Sequence, residues 1–196
     1  SPHPVRGVVF MGMGEPLLNY DAVLRAARIM SESSGLAIAA KAITVSTVGI
    51  VPGIRRFTAE RQPYRLVVSL TTADAAQRRA LLPGAGRYPL PELLAALRER
   101  HAAVGGRVTL AWIMIAGVNT RPADAAQLAA LVGAIGPDEV HLNTAVRPPA
   151  EAFALAVPRK ELEALAGLFS PAARVIAEFS SDQSASVAAN EDTILA

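Results

Sequence analysis

Cysteine is absent from the 196 residues. That excludes a disulfide framework, a thiolate nucleophile, cysteine-ligated zinc, and any iron–sulfur cluster held by the chain's own thiolates. Lysine is nearly absent too, with only Lys41 and Lys160, so the basic residues are almost all arginine. Arginine suits phosphate and carboxylate partners, but a formal net charge of +2 is weak support for a nucleic-acid partner. Aromatic residues are 5% of the chain and interleave little with the arginines, so a single-strand stacking surface is not indicated. No apolar run is long. Val108–Ala116 is broken by Thr109 and falls far short of the roughly 18 residues that a membrane span needs. The first residues, Ser1-Pro2-His3-Pro4-Val5-Arg6, hold no apolar signal core, and the expectation is a soluble cytoplasmic protein with no membrane partner.

What is present is a core. Hydrophobic residues are 52% and the mean hydropathy is +0.32, which excludes a disordered chain and suits one domain or at most two small ones. Short apolar runs alternate with helical periods. Val5–Met11 reads as a buried strand and ends in Gly12-Met13-Gly14-Glu15-Pro16. Asn19 can cap a helix running to about Ser31, with Val23, Ala27 and Met30 on one face. Ala42–Thr47 is a second strand, followed by Gly49 and a Pro52-Gly53 breaker. Arg65–Leu70 is a third strand, and a short helix spans about Asp74 to Leu82.

Pro91 opens an amphipathic helix with Leu93, Leu94, Leu97 and His101 facing inward, ended by Gly105 and Gly106. Strands follow at Arg107–Ile115, Glu139–Asn143 and Arg174–Phe179, with helices at Pro122–Val132 and Pro158–Leu168 between them. From Ser180 on, the polar composition predicts a flexible tail, leaving 1–179 as the folded domain. Strand–helix alternation predicts an α/β fold with a parallel sheet. A closed eight-fold barrel takes about 250 residues, so an open or partial barrel is expected.

In such folds ligands sit at the carboxyl ends of the strands. Gly14-Glu15 there is either a plain turn with a solvated acid or a site where a ligand approaches the backbone and an acid receives an amine or hydroxyl. Gly12-Met13-Gly14 lacks the third glycine of a dinucleotide fingerprint, because Leu17 holds that place. Ser46 and Thr47 either cap the next helix or contact a ligand. Alternation puts Ser69 and Thr71 on one face, pointing into a barrel. Asn119 reads best as a turn residue, and His141, which shares a face with Asn143, as a satisfied structural histidine. The arginines at 55, 56, 61, 65, 78, 79 and 87 form either a solvated face or a phosphate-tracking surface. No metal motif, P-loop or serine–histidine–aspartate set is present.

Several long runs resemble one known family. Phe10-Met11-Gly12-Met13-Gly14-Glu15-Pro16-Leu17-Leu18-Asn19-Tyr20, Ile43-Thr44-Val45-Ser46-Thr47-Val48-Gly49-Ile50-Val51-Pro52-Gly53-Ile54, Val68-Ser69-Leu70 and Arg87-Tyr88-Pro89-Leu90 are similar to the RNA adenine-C2 methyltransferases of the radical S-adenosylmethionine (SAM) superfamily. The similarity covers about Val5 to Leu131, whereas Val140–Pro149 is more similar to the wyosine-synthesis-like branch. The resemblance implies a partial (β/α)6 radical-SAM-type barrel. It implies that Gly14 and Glu15 receive the SAM amino group, that Ser46 is the family's cofactor-binding serine, and that the element Ser69-Leu70-Thr71 contacts the ribose and carboxylate region. It also implies reductive SAM cleavage to a 5′-deoxyadenosyl radical and methyl transfer to, or other modification of, RNA or a small molecule.

The chain departs from that family in having no CxxxCxxC motif, no methyl-carrying cysteine, Thr71 in place of a histidine and Val146 in place of an asparagine. Aligned on that family, the sequence is expected to start at the second barrel strand, without the first strand and its cluster loop. A four-iron four-sulfur cluster would have to come from a segment outside this chain, and no catalytic or metal-ligating residue is assigned within it. The chain is then a fragment, half of a split enzyme, or a degenerate copy that binds SAM, RNA or a partner without catalysis; the missing strand favours the fragment. RNA is a candidate partner. The exposed sheet edge is expected to pair with a cluster-bearing segment or a second copy.

Overall fold

The computed structural model describes residues 5–105, 108–146 and 151–177. The polar tail, Arg107 and the Arg147-Pro148-Pro149 stretch therefore lie outside the described residues, as does the end of the last predicted strand. Six strands alternate with helices: β1 (Val8–Phe10), α1 (Tyr20–Ser31), β2 (Ile43–Thr47), α2 (Val51–Ala59), β3 (Arg65–Ser69), α3 (Ala75–Leu81), α4 (Leu90–Val104), β4 (Val108–Met114), α5 (Pro122–Ile135), β5 (Glu139–Thr144), α6 (Arg159–Ala166) and β6 (Arg174–Val175).

All strand pairs are parallel, and the order in the sheet is the order in the chain. This decides between the two ways of winding a βα repeat. A doubly wound sheet reverses direction at a switch point, whereas here the direction never reverses. Right-handed crossovers then put all the helices on one face and curl the other into a barrel wall.

The burial pattern shows the two faces. Leu66, Val68, Val108, Leu110, Trp112, Met114, Val140 and Leu142 are buried at every second position, against helix residues such as Leu93, Leu97, Leu128 and Leu162. Each such leucine or valine contributes about 1.5–3 kcal/mol relative to an exposed one. Intervening residues face the barrel interior and are shorter or polar: Thr44, Ser46, Val67, Ser69, Thr109, Ala111, Ile113, His141 and Asn143 line a common cavity. Trp112, on the helix side, packs on Phe169 with ring centroids 5.6 Å apart.

Three expectations need correction. β1 is shorter than the apolar run and is not buried: Val9 is 54% and Met11 65% exposed. Among the described residues it pairs only with β2, so one edge and the inner face lack cover. Second, Pro52-Gly53 does not break the chain but sits in the first turn of α2. Proline is tolerated there because its missing N–H would have no helical acceptor. Gly53 is buried because Leu17 packs on it; a Cβ at Gly53 would lie 2.8 Å from the Leu17 Cβ. Third, Arg100 rather than His101 is the fully buried polar residue of α4. Its guanidinium donates to the carbonyls of Phe57, Gln62 and Tyr64 and lies 4.7 Å from the Phe57 ring centre, holding the end of α2 and the turn into β3.

Outside the barrel, α1 and α2 are joined by a polar cluster. The Tyr20 hydroxyl donates to Glu60 at 2.7 Å, and Arg56 stacks over the Tyr20 ring at 4.1 Å while pairing with Asp21 and Glu60. Hydrogen bonds from Tyr20, Gln62 and Arg56 hold the Glu60 carboxyl down at about 2.

Candidate functional site

The carboxyl ends of the strands form a rim in which each loop is tied to the next by a side chain. After β1, the backbone turns sharply at Gly12-Met13-Gly14. Gly14 has φ +110°, and a Cβ on Gly12 would lie 2.9 Å from the Gly14 carbonyl oxygen, so both positions require glycine. Glu15 follows and is half-buried. One carboxylate oxygen accepts from Leu17 N and the other from Val48 N, each at 2.9 Å. Glu15 therefore links the loop after β1 to the loop after β2, and its fixed carboxylate keeps free lone pairs for a cationic ligand.

The next tie is Arg78 of α3. It is 2% exposed, donates to the Leu70 carbonyl at 3.1 Å and the Val48 carbonyl at 2.7 Å, and so joins the loops after β2 and β3. Burial without a carboxylate partner pushes its guanidinium below the usual arginine range. Asn119 joins the loops after β3 and β4. It is fully buried, accepts from Ile115 N at 2.7 Å, and donates to the Thr71 carbonyl at 2.7 Å and the Ile113 carbonyl at 2.9 Å. Thr144, at the end of β5, donates to the Met114 carbonyl and accepts from Val157 N, carrying the belt to the segment after β5.

Two cavities open on this rim and share Val9 and Met11. One, of about 500 Å³, lies beside β1 and the start of α1 and contains Gly14 and Glu15. The other, of about 360 Å³, is the barrel interior and contains Ser46 and Ser69. Both volumes fall in the range of small-molecule sites. Among the described residues neither serine hydroxyl has a hydrogen-bond partner, although both residues are at least partly buried. Thr47, by contrast, turns to the backbone and accepts from Gly49 N at 3.1 Å and Ile50 N at 3.4 Å. Thr47 is thus used in the turn that leads into α2, although α2 itself, with Ile50 at its N-cap, has no side-chain cap, while the Ser46 hydroxyl is left open to the cavity.

The structure brings Gly14, Glu15, Ser46 and Ser69 around this pair of cavities and sets Thr71 apart. β3 ends at Ser69, and Thr71 has φ +61°, so strand alternation no longer applies to it. It lines a third cavity, of about 240 Å³, with Ile113 and Phe153. Asn119 is more than a turn residue, as its three buried hydrogen bonds show. His141 is paired with Glu139 at 2.9 Å, with Arg65 3.7 Å from the same carboxylate, so its ring is already partnered where it lines the barrel-interior cavity.

Sequence reasoning missed Arg78, grouped with the surface arginines. Its signal was spacing: Arg78 lies three and four residues before Leu81 and Leu82, in the apolar stripe of α3. The arginines form no single phosphate-tracking surface, since Arg78 is buried while Arg55 pairs with Glu99 and Arg56 with Asp21 and Glu60.

An iron–sulfur cluster does not fit the residues present. The chain has no thiolate, and no group of three or more His, Asp or Glu among the described residues could hold a metal ion. The donor set suits SAM better: Glu15 offers a fixed carboxylate to an ammonium, and Ser46 and Ser69 offer hydroxyls with no hydrogen-bond partner among the described residues. No described helix is long and apolar enough to cross a membrane.

No family model matches the chain. It is 51% identical over 157 residues to a probable RNA methyltransferase of Anaeromyxobacter, covering 78% of this chain and 46% of that protein. It is 52% identical over 128 residues to a probable RNA methyltransferase of Myxococcus xanthus, covering 65% of this chain and 36% of the relative. A solved radical SAM methyltransferase from Sphaerobacter thermophilus superposes with a TM-score of 0.82 at 34% identity, over 92% of this chain and 52% of that one. A domain of a pyruvate-formate lyase-activating enzyme from Bacteroides vulgatus shares the fold, with a TM-score of 0.62 at 16% identity over 89% of this chain and 99% of that domain. The chain spans less than half the length of these curated relatives.

Proposed function

We propose that this chain, whose relatives include probable RNA methyltransferases and a solved radical SAM methyltransferase, forms the SAM-binding wall of a radical SAM RNA methyltransferase and acts on RNA in the cytoplasm. The observation that carries the reading is the pair of adjoining rim cavities, with the Glu15 carboxylate fixed by two backbone N–H groups on one side and the free Ser46 and Ser69 hydroxyls on the other. In this reading Glu15 and the exposed Gly14 backbone receive the SAM ammonium, and Ser46 and Ser69 hydrogen-bond its ribose and carboxylate. When bound, SAM supplies the group to be transferred. The protein's part is to orient it on a pre-tied rim and to exclude water from the barrel interior.

The reducing cluster is supplied by thiolates outside this chain, because the chain has none. β1, with its uncovered edge and its exposed Val9 and Met11, is the surface where a cluster-bearing segment or a second copy would add a strand. The lack of cysteine also favours a second reading, a barrel that binds SAM or RNA without catalysis. Adding a cluster-bearing segment separates the two, since only the first reading gains turnover.

Calorimetry with SAM tests the binding claim. Saturable heat is expected for the chain, and affinity at least tenfold weaker for Glu15→Ala. Ser69→Ala removes no protein hydrogen bond among the described residues, so a weaker affinity in that variant reports lost ligand contact rather than lost fold. Absence of heat with the unsubstituted chain overturns the reading.

A further inference from the structure

We infer that the third rim cavity is a slot for one unstacked RNA base, with Phe153 as its stacking platform. The inference rests on the function proposed above, because it names where that enzyme's substrate would enter.

The cavity, of about 240 Å³, suits a single planar ring better than a whole nucleoside. Its wall is largely apolar, with Leu81 and Leu82 at the end of α3 and Ile113 at the end of β4. Phe153 is 50% exposed and is the sole aromatic among the exposed large hydrophobic residues described. The few aromatics of the arginine-rich middle third, Phe57, Tyr64 and Tyr88, are buried or half-buried, whereas Phe153 comes from a different segment and reaches the rim only through the fold. It is not a loose side chain on a free loop. Ala116 N donates to the Leu155 carbonyl at 3.1 Å, Leu155 N to the Phe153 carbonyl at 2.9 Å, and Val157 N to Thr144 at 2.8 Å. Those bonds fix the segment against the ends of β4 and β5, and a fixed aromatic face stacks a base with little further ordering.

Two polar groups limit what can enter. Glu151 stands in the lining, and its carboxylate repels a phosphate, so the base and not the backbone is the part of RNA that fits. Thr71 offers a hydroxyl with no hydrogen-bond partner among the described residues. Its backbone is held at φ +61°, in the left-handed region that a β-branched residue rarely adopts, by the Asn119 bond to its carbonyl. The hydroxyl is thus presented at a set position to the edge of a base. Ile113 lines both this slot and the barrel interior, so a base seated here is one side chain away from the SAM cavity. An enzyme acting on a base must take it out of its stack and place it beside the donor.

The test uses the full chain and a short single-stranded RNA carrying one 2-aminopurine, whose fluorescence falls when the base stacks. The expected result is saturable quenching, weakened roughly 5- to 140-fold by Phe153→Ala and retained by Phe153→Trp. Circular dichroism of both variants should match the parent, since the side chain is half exposed. SAM calorimetry on the same samples separates the two claims. SAM binding without quenching, or quenching unchanged in Phe153→Ala, overturns the slot and leaves the SAM wall standing. Quenching that depends on Phe153, with no SAM heat, supports the slot and overturns the function proposed above. Neither signal overturns both.

Discussion

Asn119→Ala tests whether the rim is held by its side-chain ties. Asn119 is fully buried and serves three backbone groups: Ile115 N–H at 2.7 Å, the Thr71 carbonyl at 2.7 Å and the Ile113 carbonyl at 2.9 Å. Alanine removes all three bonds at once and leaves a pocket too enclosed for easy hydration. A buried group stranded without its partner costs about 1–3 kcal/mol. With partial relaxation of the two loops, the sum expected is about 3 kcal/mol. For a chain of this length that lowers the melting temperature by about 6–12 °C. The damage should be local as well as global. Without the bond to its carbonyl, Thr71 can leave the left-handed region, which itself costs about 1–3 kcal/mol. Amide exchange from Thr71 to Asp74 should therefore accelerate more than in the core of β4. Asn119→Asp has the same shape and still accepts from Ile115 N, but turns an anion toward two carbonyl oxygens. It should be less stable than Asn119→Ala at neutral pH, with the gap closing on acidification as the carboxyl protonates. Urea denaturation of the three proteins measures this. A loss below about 1 kcal/mol for Asn119→Ala would refute the claim that this residue ties the loops.

Three further outcomes follow from other parts of the fold. The Glu60 carboxyl is depressed to about 2, first by its hydrogen bond from Tyr20. Its stabilising contribution is full above the ordinary carboxylate range and is lost as pH falls from about 4.5 toward 2. Carboxyl NMR titration of Tyr20→Phe should show the Glu60 midpoint moving up, and an unmoved midpoint would reject Tyr20 as the leading cause. Gly53→Ala should destabilise by about 1–3 kcal/mol, because the new Cβ meets Leu17 at 2.8 Å and that overpacking outweighs the helix-propensity gain of about 1 kcal/mol. Thermal melting of the variant decides the sign. Finally, the open β1 edge predicts self-association or pairing with an added segment, and sedimentation that shows only monomer at micromolar concentration would count against self-association.

Much of the fold was legible because βα repeats write their period into the chain. β2 and β3 came within one residue of their observed limits, since bulky apolar residues at alternate positions mark the helix-facing side. α2 was not legible. Pro52 and Gly53 are breakers by local chemistry, and only the packing of Leu17 on Gly53 explains a glycine inside a helix. At the site, the run holding Gly14 and Glu15 was readable from its glycines. The bond from Val48 N to Glu15 was not, because it spans 33 residues of sequence. Thr71 was misplaced for a related reason: alternation holds only inside a strand, and β3 ends two residues earlier. Arg78 and Asn119 work through carbonyls, and a backbone acceptor leaves no trace in the residue types.

The central claim is that the carboxyl rim of this parallel sheet binds SAM. Amide chemical-shift mapping during a SAM titration tests it most directly. Saturable shifts concentrated at Gly14, Glu15, Ser46, Val48 and Ser69 are the predicted result. Shifts confined to the opposite end, around Arg65, Asp138 and Glu139, or no shifts at millimolar ligand, would contradict it.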